Sequence, residues 1–218
     1  MSLKYFVIIL SILGIISLYF LSTFSQPLVI ELQDIPEYEG KLVTVEGTVI
    51  KHSITSYGGQ IIEIQDIQDD KNSSKTVIFI EEPTSIEYGD KIQATGKIQK
   101  YEGEWEIVVN DNRFVKILQK WQNITMPLWQ LAEKPSQYMG INVNVTGVVD
   151  RLYDDYFYLI DAEGEHSIIV FYNPALAPSL SPGDNVQVAA NFVYNMENFK
   201  YVLEADEEIH LISLIGDG

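Results

Sequence analysis

A short stretch that occurs twice constrains this chain more than any other feature. Residues 38–49 read YEGKLVTVEGTV, and residues 138–149 read YMGINVNVTGVV. At an offset of one hundred, six pairs are identical: Tyr38/Tyr138, Gly40/Gly140, Val43/Val143, Val45/Val145, Gly47/Gly147 and Val49/Val149. An ungapped match of that density implies a duplicated unit. Val43 and Val45 alternate with Thr44 and Glu46, the period-two pattern of a half-buried strand. Gly47 and Gly147 interrupt the pattern, which predicts a bulge or sharp bend there. Such a bend lets a long first strand curl around a small barrel.

The units follow one order. In residues 31–120, a lead-in at 32–38 precedes strands at 42–52, 60–66, 75–80 and 91–100. A fifth strand starts at 105–109 and resumes at 113–118 after Asn110-Asp111-Asn112. Residues 67–74 read as a polar turn, and residues 81–88, around Pro83, as a connector with a short helix. In residues 121–218, strands are expected at 141–152, 156–161, 166–171 and 185–192, with a fifth at 199–205 and 208–214. The turn Gly89-Asp90 reappears in Pro182-Gly183-Asp184, and Trp121, Trp129 and Leu131 of the second lead-in read as a plug between the units. Five strands with one connector after the third fit the Greek-key OB barrel; a sandwich needs about seven. The expected class is all-β: two tandem five-stranded Greek-key OB-fold barrels after an N-terminal transmembrane helix.

That helix is read from residues 5–21, YFVIILSILGIISLYFL, an apolar run near the lower length for crossing a bilayer. Lys4 lies before it and Glu31, Asp34, Glu37 and Glu39 after it, which orients the N-terminus to the cytoplasm and the barrels outside. Residues 1–25 are thus an anchor. The alternative is a cleaved signal segment with secretion, since Thr23-Phe24-Ser25 offers small residues at a peptidase spacing. Three triplets match the glycosylation acceptor pattern: Asn72-Ser73-Ser74, Asn123-Ile124-Thr125 and Asn144-Val145-Thr146.

Charge narrows the partners. The formal net charge is −17, and residues 121–218 hold three basic residues against fourteen acidic ones. An acidic field repels phosphate and attracts cations or basic partners. The chain has no cysteine, which excludes disulfides, thiol nucleophiles and cysteine-held metals.

Specific residues carry a family resemblance. In the second unit they are the strand Val145-Thr146-Gly147-Val148-Val149, then Tyr156, Leu159-Ile160-Asp161 with Gly164, the strand 168–171, and Pro182-Gly183-Asp184 before Val186 and Val188. The first unit repeats the order with Val45-Glu46-Gly47-Thr48-Val49, Ile61, Ile64-Gln65-Asp66, the strand 77–80, and Gly89-Asp90 before Ile92 and Gly96. It has a longer insertion where the second has its glycine turn. These residues resemble the anticodon-binding-type OB domain of tRNA synthetases, helicases and single-strand binders. The resemblance implies nucleic-acid binding on strands two and three and on the first and fourth loops, with aromatics stacking on bases. The residues so implied are Tyr57, Phe79, Tyr101 and Trp105 in the first unit. In the second they are Tyr153, Tyr156, Tyr158, Phe171, Tyr194 and Phe199. Strand alternation turns about half of such residues inward. Basic residues (Lys51, Lys97, Lys100, Arg113) favour the first unit for nucleic acid; the second has little beyond Arg151 and Lys200.

Catalytic signatures are missing. His52, His166 and His210 are dispersed, with no HExxH, triad, Walker or dinucleotide pattern. The acidic groups Asp66/Asp69/Asp70, Asp154/Asp155 and Asp206/Glu207/Glu208 lack EF-hand spacing and read as solvated charge. Exported OB barrels that deliver haem use an H-x-x-x-Y pattern, whereas Leu214 follows His210 here. The expectation is therefore a non-catalytic extracytoplasmic binding module without cofactor or metal. Its partner would be an envelope protein, a glycan or a cationic ligand. Single-stranded nucleic acid is the alternative that the resemblance implies and charge disfavours.

Overall fold

The computed structural model describes residues 3–24, 26–66, 74–175, 177–197 and 199–215. The turn expected at 67–74, with Asp69, Asp70 and Asn72, thus lies outside the described residues except for Ser74.

The chain begins with helix α1 (Leu3–Phe24). Its described side chains, Tyr5 and residues 7–19, are all exposed. Among the described residues no helix is long and apolar enough to cross a membrane. The transmembrane helix read from the sequence is therefore not identified.

The first sheet comprises β1 (Leu28–Val29), β2 (Leu42–Ile54), β3 (Gln60–Gln65), β4 (Lys75–Ile80), β5 (Lys91–Tyr101), β6 (Glu104–Val109) and β7 (Val115–Gln119). β2, β3, β4, β6 and β5 close into a ring through the β2–β5 pairing, with β4 and β6 parallel and the other pairs antiparallel. After the short strand β8 (Thr125–Pro127) and helices α2 (Leu128–Glu133) and α3 (Pro135–Tyr138), the pattern recurs. The second set is β9 (Asn142–Leu152), β10 (Tyr156–Ile160), β11 (Ser167–Tyr172), β12 (Asn185–Asn195), β13 (Lys200–Ala205) and β14 (Leu211–Leu214). β9, β10, β11, β13 and β12 close the second ring with the same parallel pair, here β11–β13. This pairing is the Greek-key OB topology.

Inward residues follow the alternation. Val43, Val45, Ile62, Ile64, Ile78 and Ile107 fill the first barrel; Val143, Val145, Phe157, Leu159, Val170 and Phe192 fill the second. Truncating any of the isoleucines to alanine costs roughly 2–5 kcal/mol.

Four expectations are corrected. First, the bulges fall three residues beyond the glycines. Ile50 is the extra residue between Val49↔Ile64 and Lys51↔Glu63, and Asp150 is its counterpart between Val149↔Leu159 and Arg151↔Tyr158. Gly47 and Gly147 serve close approach instead: a Cβ on Gly147 would lie 2.6 Å from the Ile160 carbonyl oxygen. Second, the connector at 81–88 holds no helix. The buried Gln60 amide clamps Thr84, accepting from its N–H at 2.8 Å and donating to its carbonyl at 3.1 Å. Third, the lead-in strands β1 and β8, parallel to β2 and β9, were hidden by their length of two and three residues. Fourth, Asn144 is 1% exposed and its amide donates to the Gln122 carbonyl, so that acceptor triplet is structural.

The barrels meet at the second lead-in. Trp121 is buried; its indole N–H donates to Glu87 Oε2 at 2.8 Å, and its backbone N–H donates to Asp90 Oδ1 at 3.1 Å. Lys120 Nζ donates to Asp90 Oδ2 at 2.9 Å. Ile50 packs onto the second barrel's core. Of the expected plug, Trp121 lies between the barrels and Leu131 joins the second core, whereas Trp129 is 43% exposed.

Candidate nucleic-acid interface

Strand alternation puts Tyr156 and Tyr158 of β10 on the outer face, because Phe157 and Leu159 take the inner one. The register sets Tyr156 opposite Phe171 and Tyr158 opposite both Ile169 and Arg151. The loop between β9 and β10 adds Tyr153. Its backbone N–H donates to the Tyr156 carbonyl at 2.9 Å, and its carbonyl accepts from the Tyr172 hydroxyl at 3.3 Å. The rings of Tyr153 and Tyr156 stack with centroids 4.5 Å apart at 15°, and Tyr158 meets both edge-on at 6.4 and 6.1 Å. Phe171 lies 6.0 Å from Tyr156. The Arg151 guanidinium covers Tyr158 at 4.0 Å from the ring centroid and donates to Asp150 Oδ2 at 2.9 Å. The Asp150 carboxylate raises the Arg151 pKa further, so its charge is permanent. Burial, then the neighbouring tyrosines and Asp155, push the Tyr156 hydroxyl up. Tyr156 therefore stays neutral at physiological pH beside one fixed cation.

A groove of about 490 Å3 continues from Tyr158. His166, Ser167, Ile169, Phe199 and Lys200 are among the residues lining it. Phe199 is 78% exposed and has φ +53, left-handed backbone that a bulky residue rarely adopts. At the groove's edge His166 Nδ1 lies 2.6 Å from Asp161 Oδ2. Burial opposes the Asp161 charge, but the bonds from His166 and the Glu165 N–H outweigh it and lower its pKa. Among the described residues no three His, Asp or Glu side chains converge as a metal site requires.

Of the ten aromatic residues read from the sequence, the structure gathers Tyr153, Tyr156, Tyr158 and Phe171 in one cluster and joins Phe199 to it through the groove. Tyr194 sits apart on the β12–β13 hairpin, edge-on to Tyr201 at 5.1 Å. The first barrel assembles no comparable platform among its described residues. Tyr57 is 98% exposed at a loop tip, and Phe79 lies half-buried over the Gly59 backbone. Tyr101 is exposed; Trp105 packs on the barrel core beneath Lys100, whose ammonium is 4.3 Å from the ring centroid. The basic residues that favoured the first unit thus lie apart from the aromatic cluster. Sequence reading missed Tyr172, which holds the loop, and Ile169, which lines the groove. Extending the alternation of β11 by one residue would have found the first.

No protein-family model matches the sequence, and no curated protein matches it. Solved structures match the chain at low similarity. The HINa domain of Ifi202, solved with a 20-bp double-stranded DNA, is 13% identical; the match covers 78% of this chain and 95% of that one, with a TM-score of 0.32. A deletion mutant of the single-stranded DNA binding protein from Thermus aquaticus is 16% identical over 83% of this chain and 97% of that one, with a TM-score of 0.28. A candidate aspartyl-tRNA synthetase from Leishmania major Friedlin matches 44% of this chain at 11% identity and a TM-score of 0.35. The match spans 21% of that synthetase chain. At these values the likeness carries no functional argument, and the OB assignment rests on the strand pairing.

Proposed function

We propose that the protein binds single-stranded nucleic acid, without catalysis, on the outer face of β10 and β11. The observation that carries this reading is the cluster of Tyr153, Tyr156, Tyr158 and Phe171 under one arginine. Aromatic platforms on this face of an OB barrel stack successive bases, at about 1–3 kcal/mol each. Affinity here comes from stacking, because Arg151 and Lys200 are the basic residues at hand. Salt dependence should be shallow, with a log–log slope of about −0.7 to −1.4 for one or two neutralised phosphates. The test is a titration of labelled single-stranded DNA and RNA on the full chain at low and physiological salt. Binding that weakens about tenfold or more on Tyr156→Ala supports the reading; no binding at low salt sinks it.

One observation favours a second reading. Fourteen acidic residues against three in residues 121–218 suit a cationic ligand, a glycan or an envelope protein better than phosphate. Binding of a polyamine to the Tyr156 face, with no binding of oligonucleotide, would select it.

We also propose that α1 anchors the chain, with the barrels outside the membrane. The helix runs for 22 residues, and its described side chains are apolar or small apart from the phenols of Tyr5 and Tyr19. Resistance of the full chain to carbonate extraction, with barrels cleaved by external protease, is the expected result. Release into the soluble fraction as an uncleaved chain would refute it.

A further inference from the structure

The groove of about 490 Å3 beside the tyrosine cluster has a floor that base stacking does not use. It runs between α2, the start of β11 and the β12–β13 hairpin. Leu128, Leu131, Ile168 and Phe192 reach it from the second core and are buried. Their side chains carry no hydrogen-bonding atom. Among the described lining residues, polar side-chain atoms come only from Tyr158, Tyr201, His166, Ser167 and Lys200.

Charge inside the groove is one-sided. No carboxylate is among its described lining residues, although residues 121–218 hold fourteen acidic ones. Glu133, next to Ala132 of the lining, lines a separate cleft shared with the first barrel. Asp161 is committed to His166 Nδ1 and to the Glu165 N–H. Lys200 is therefore the fixed cation within reach of a guest, with the exposed Ser167 hydroxyl as a donor. Screening over about 8 Å at physiological salt lets this lining, more than distant surface charge, decide the sign of a guest. A nucleobase suits the floor poorly, because its polar edge would be buried there unpaired. A hydrocarbon carries no such cost. The volume falls within the usual range for small-ligand sites. We propose that the groove binds a small apolar monocarboxylate, with its hydrocarbon body on the floor and its carboxylate at Lys200 and Ser167. The site stands whether or not the β10 and β11 face binds nucleic acid.

The test is equilibrium dialysis of the full chain against radiolabelled octanoate, with octan-1-ol and octylamine as competitors that share its tail. Octanoate should occupy one saturable site with a Kd below about 1 mM. Octan-1-ol should bind about threefold more weakly, since an exposed ion pair is worth little, and octylamine more weakly still. Ala132→Trp fills the groove and should weaken octanoate by about tenfold or more. Lys200→Glu should reverse the order of octanoate and octylamine. Both residues are exposed, so neither substitution disturbs the core. Tyr156→Ala, outside the groove, should change octanoate affinity by less than about twofold even where it abolishes oligonucleotide binding. No saturable binding of octanoate at about 10 mM overturns the proposal. Affinity undiminished by Ala132→Trp also overturns it, by placing octanoate elsewhere on the chain, for example on α1. So does a parent chain that prefers octylamine to octanoate, or displacement of octanoate by adenosine monophosphate.

Discussion

The two barrels have the same skeleton and different surfaces, and the differences fall at matching positions. Both bulge at one residue a hundred apart, but Ile50 packs onto the other barrel's core while Asp150 pairs with Arg151 in solvent. Both turn at Gly-Asp before the fourth ring strand, but Asp90 is fully buried and accepts from Glu87, Lys120 and Trp121, whereas Asp184 accepts from Ser181. On the outer face, Lys51, Glu63 and Ile61 of the first barrel occupy the registers of Arg151, Tyr158 and Tyr156 in the second. Backbone demands keep the skeleton alike. Outward positions are released from those demands, so one barrel carries the junction and the other carries the tyrosine cluster.

The sharpest way to break that contrast is at the shared turn. Gly89 and Gly183 have φ +89 and +95. A Cβ on Gly89 would lie 2.4 Å from the Asn142 carbonyl oxygen, across the junction, while one on Gly183 would meet nothing within 4 Å. Gly89→Ala should cost roughly 3–5 kcal/mol of unfolding free energy, from strain plus backbone overlap. Gly183→Ala should cost about 1 kcal/mol, from the left-handed backbone alone. Equal shifts in denaturant midpoint would show that the turn does not hold the barrels together. Asp90→Ala should follow at roughly 2–4 kcal/mol, since it strands Lys120 and two backbone N–H groups; Asp184→Ala should cost no more than about 1 kcal/mol.

The outer face comes next in magnitude. Tyr158→Glu gives the second barrel the first barrel's residue at that register. It removes the ring under Arg151, and oligonucleotide affinity should fall about ten- to a hundredfold, read by fluorescence anisotropy, with the melting temperature little changed. The reverse exchange, Glu63→Tyr with Ile61→Tyr, should confer measurable affinity on a chain that already carries Tyr158→Glu. Affinity unaffected by Tyr158→Glu would move the site off this face.

Period-two alternation made nearly every strand legible, because a barrel wall has one buried face and a shift by one residue would expose it. Val43, Val45, Phe157 and Leu159 show this directly. The bulges were not legible at their true positions: Ile50 and Asp150 are chemically unlike, and the glycines nearby answer to a different constraint, the approach of Ile64 and Leu159. The candidate site was legible as a set of aromatics but not as a place. Tyr57 and Tyr153 look alike in sequence, and only the register that stacks Tyr153 on Tyr156 separates them.

The smallest expected effect concerns acid, and it too separates the barrels. His210 precedes β14, is 7% exposed, and meets the edge of Trp121 with ring centroids 6.2 Å apart. Its Nδ1 accepts from the Glu207 backbone N–H at 3.2 Å, so the neutral ring carries its proton on Nε2, which faces Asn142 Oδ1 at 3.3 Å. Protonating Nδ1 would set two donors against each other. Burial lowers the His210 pKa below its usual 6.5, and Glu207 and Asp206 only partly offset that. The unfolded chain then binds the extra proton first, so stability is full above about pH 6.5 and declines as pH falls toward the folded value. The corresponding break in the first barrel holds Asp111, which the bond from Arg113 lowers to about 2. Its contribution is present above the usual carboxylate value of 3.8 and is lost only as pH approaches about 2. The melting temperature should therefore decline between pH 7 and 5 in the parent chain and stay level over that window in His210→Gln. Asp111→Asn should leave the decline between pH 7 and 5 intact and act only below about pH 4. If His210→Gln retains the full decline, the acid response does not originate at the junction beside Trp121.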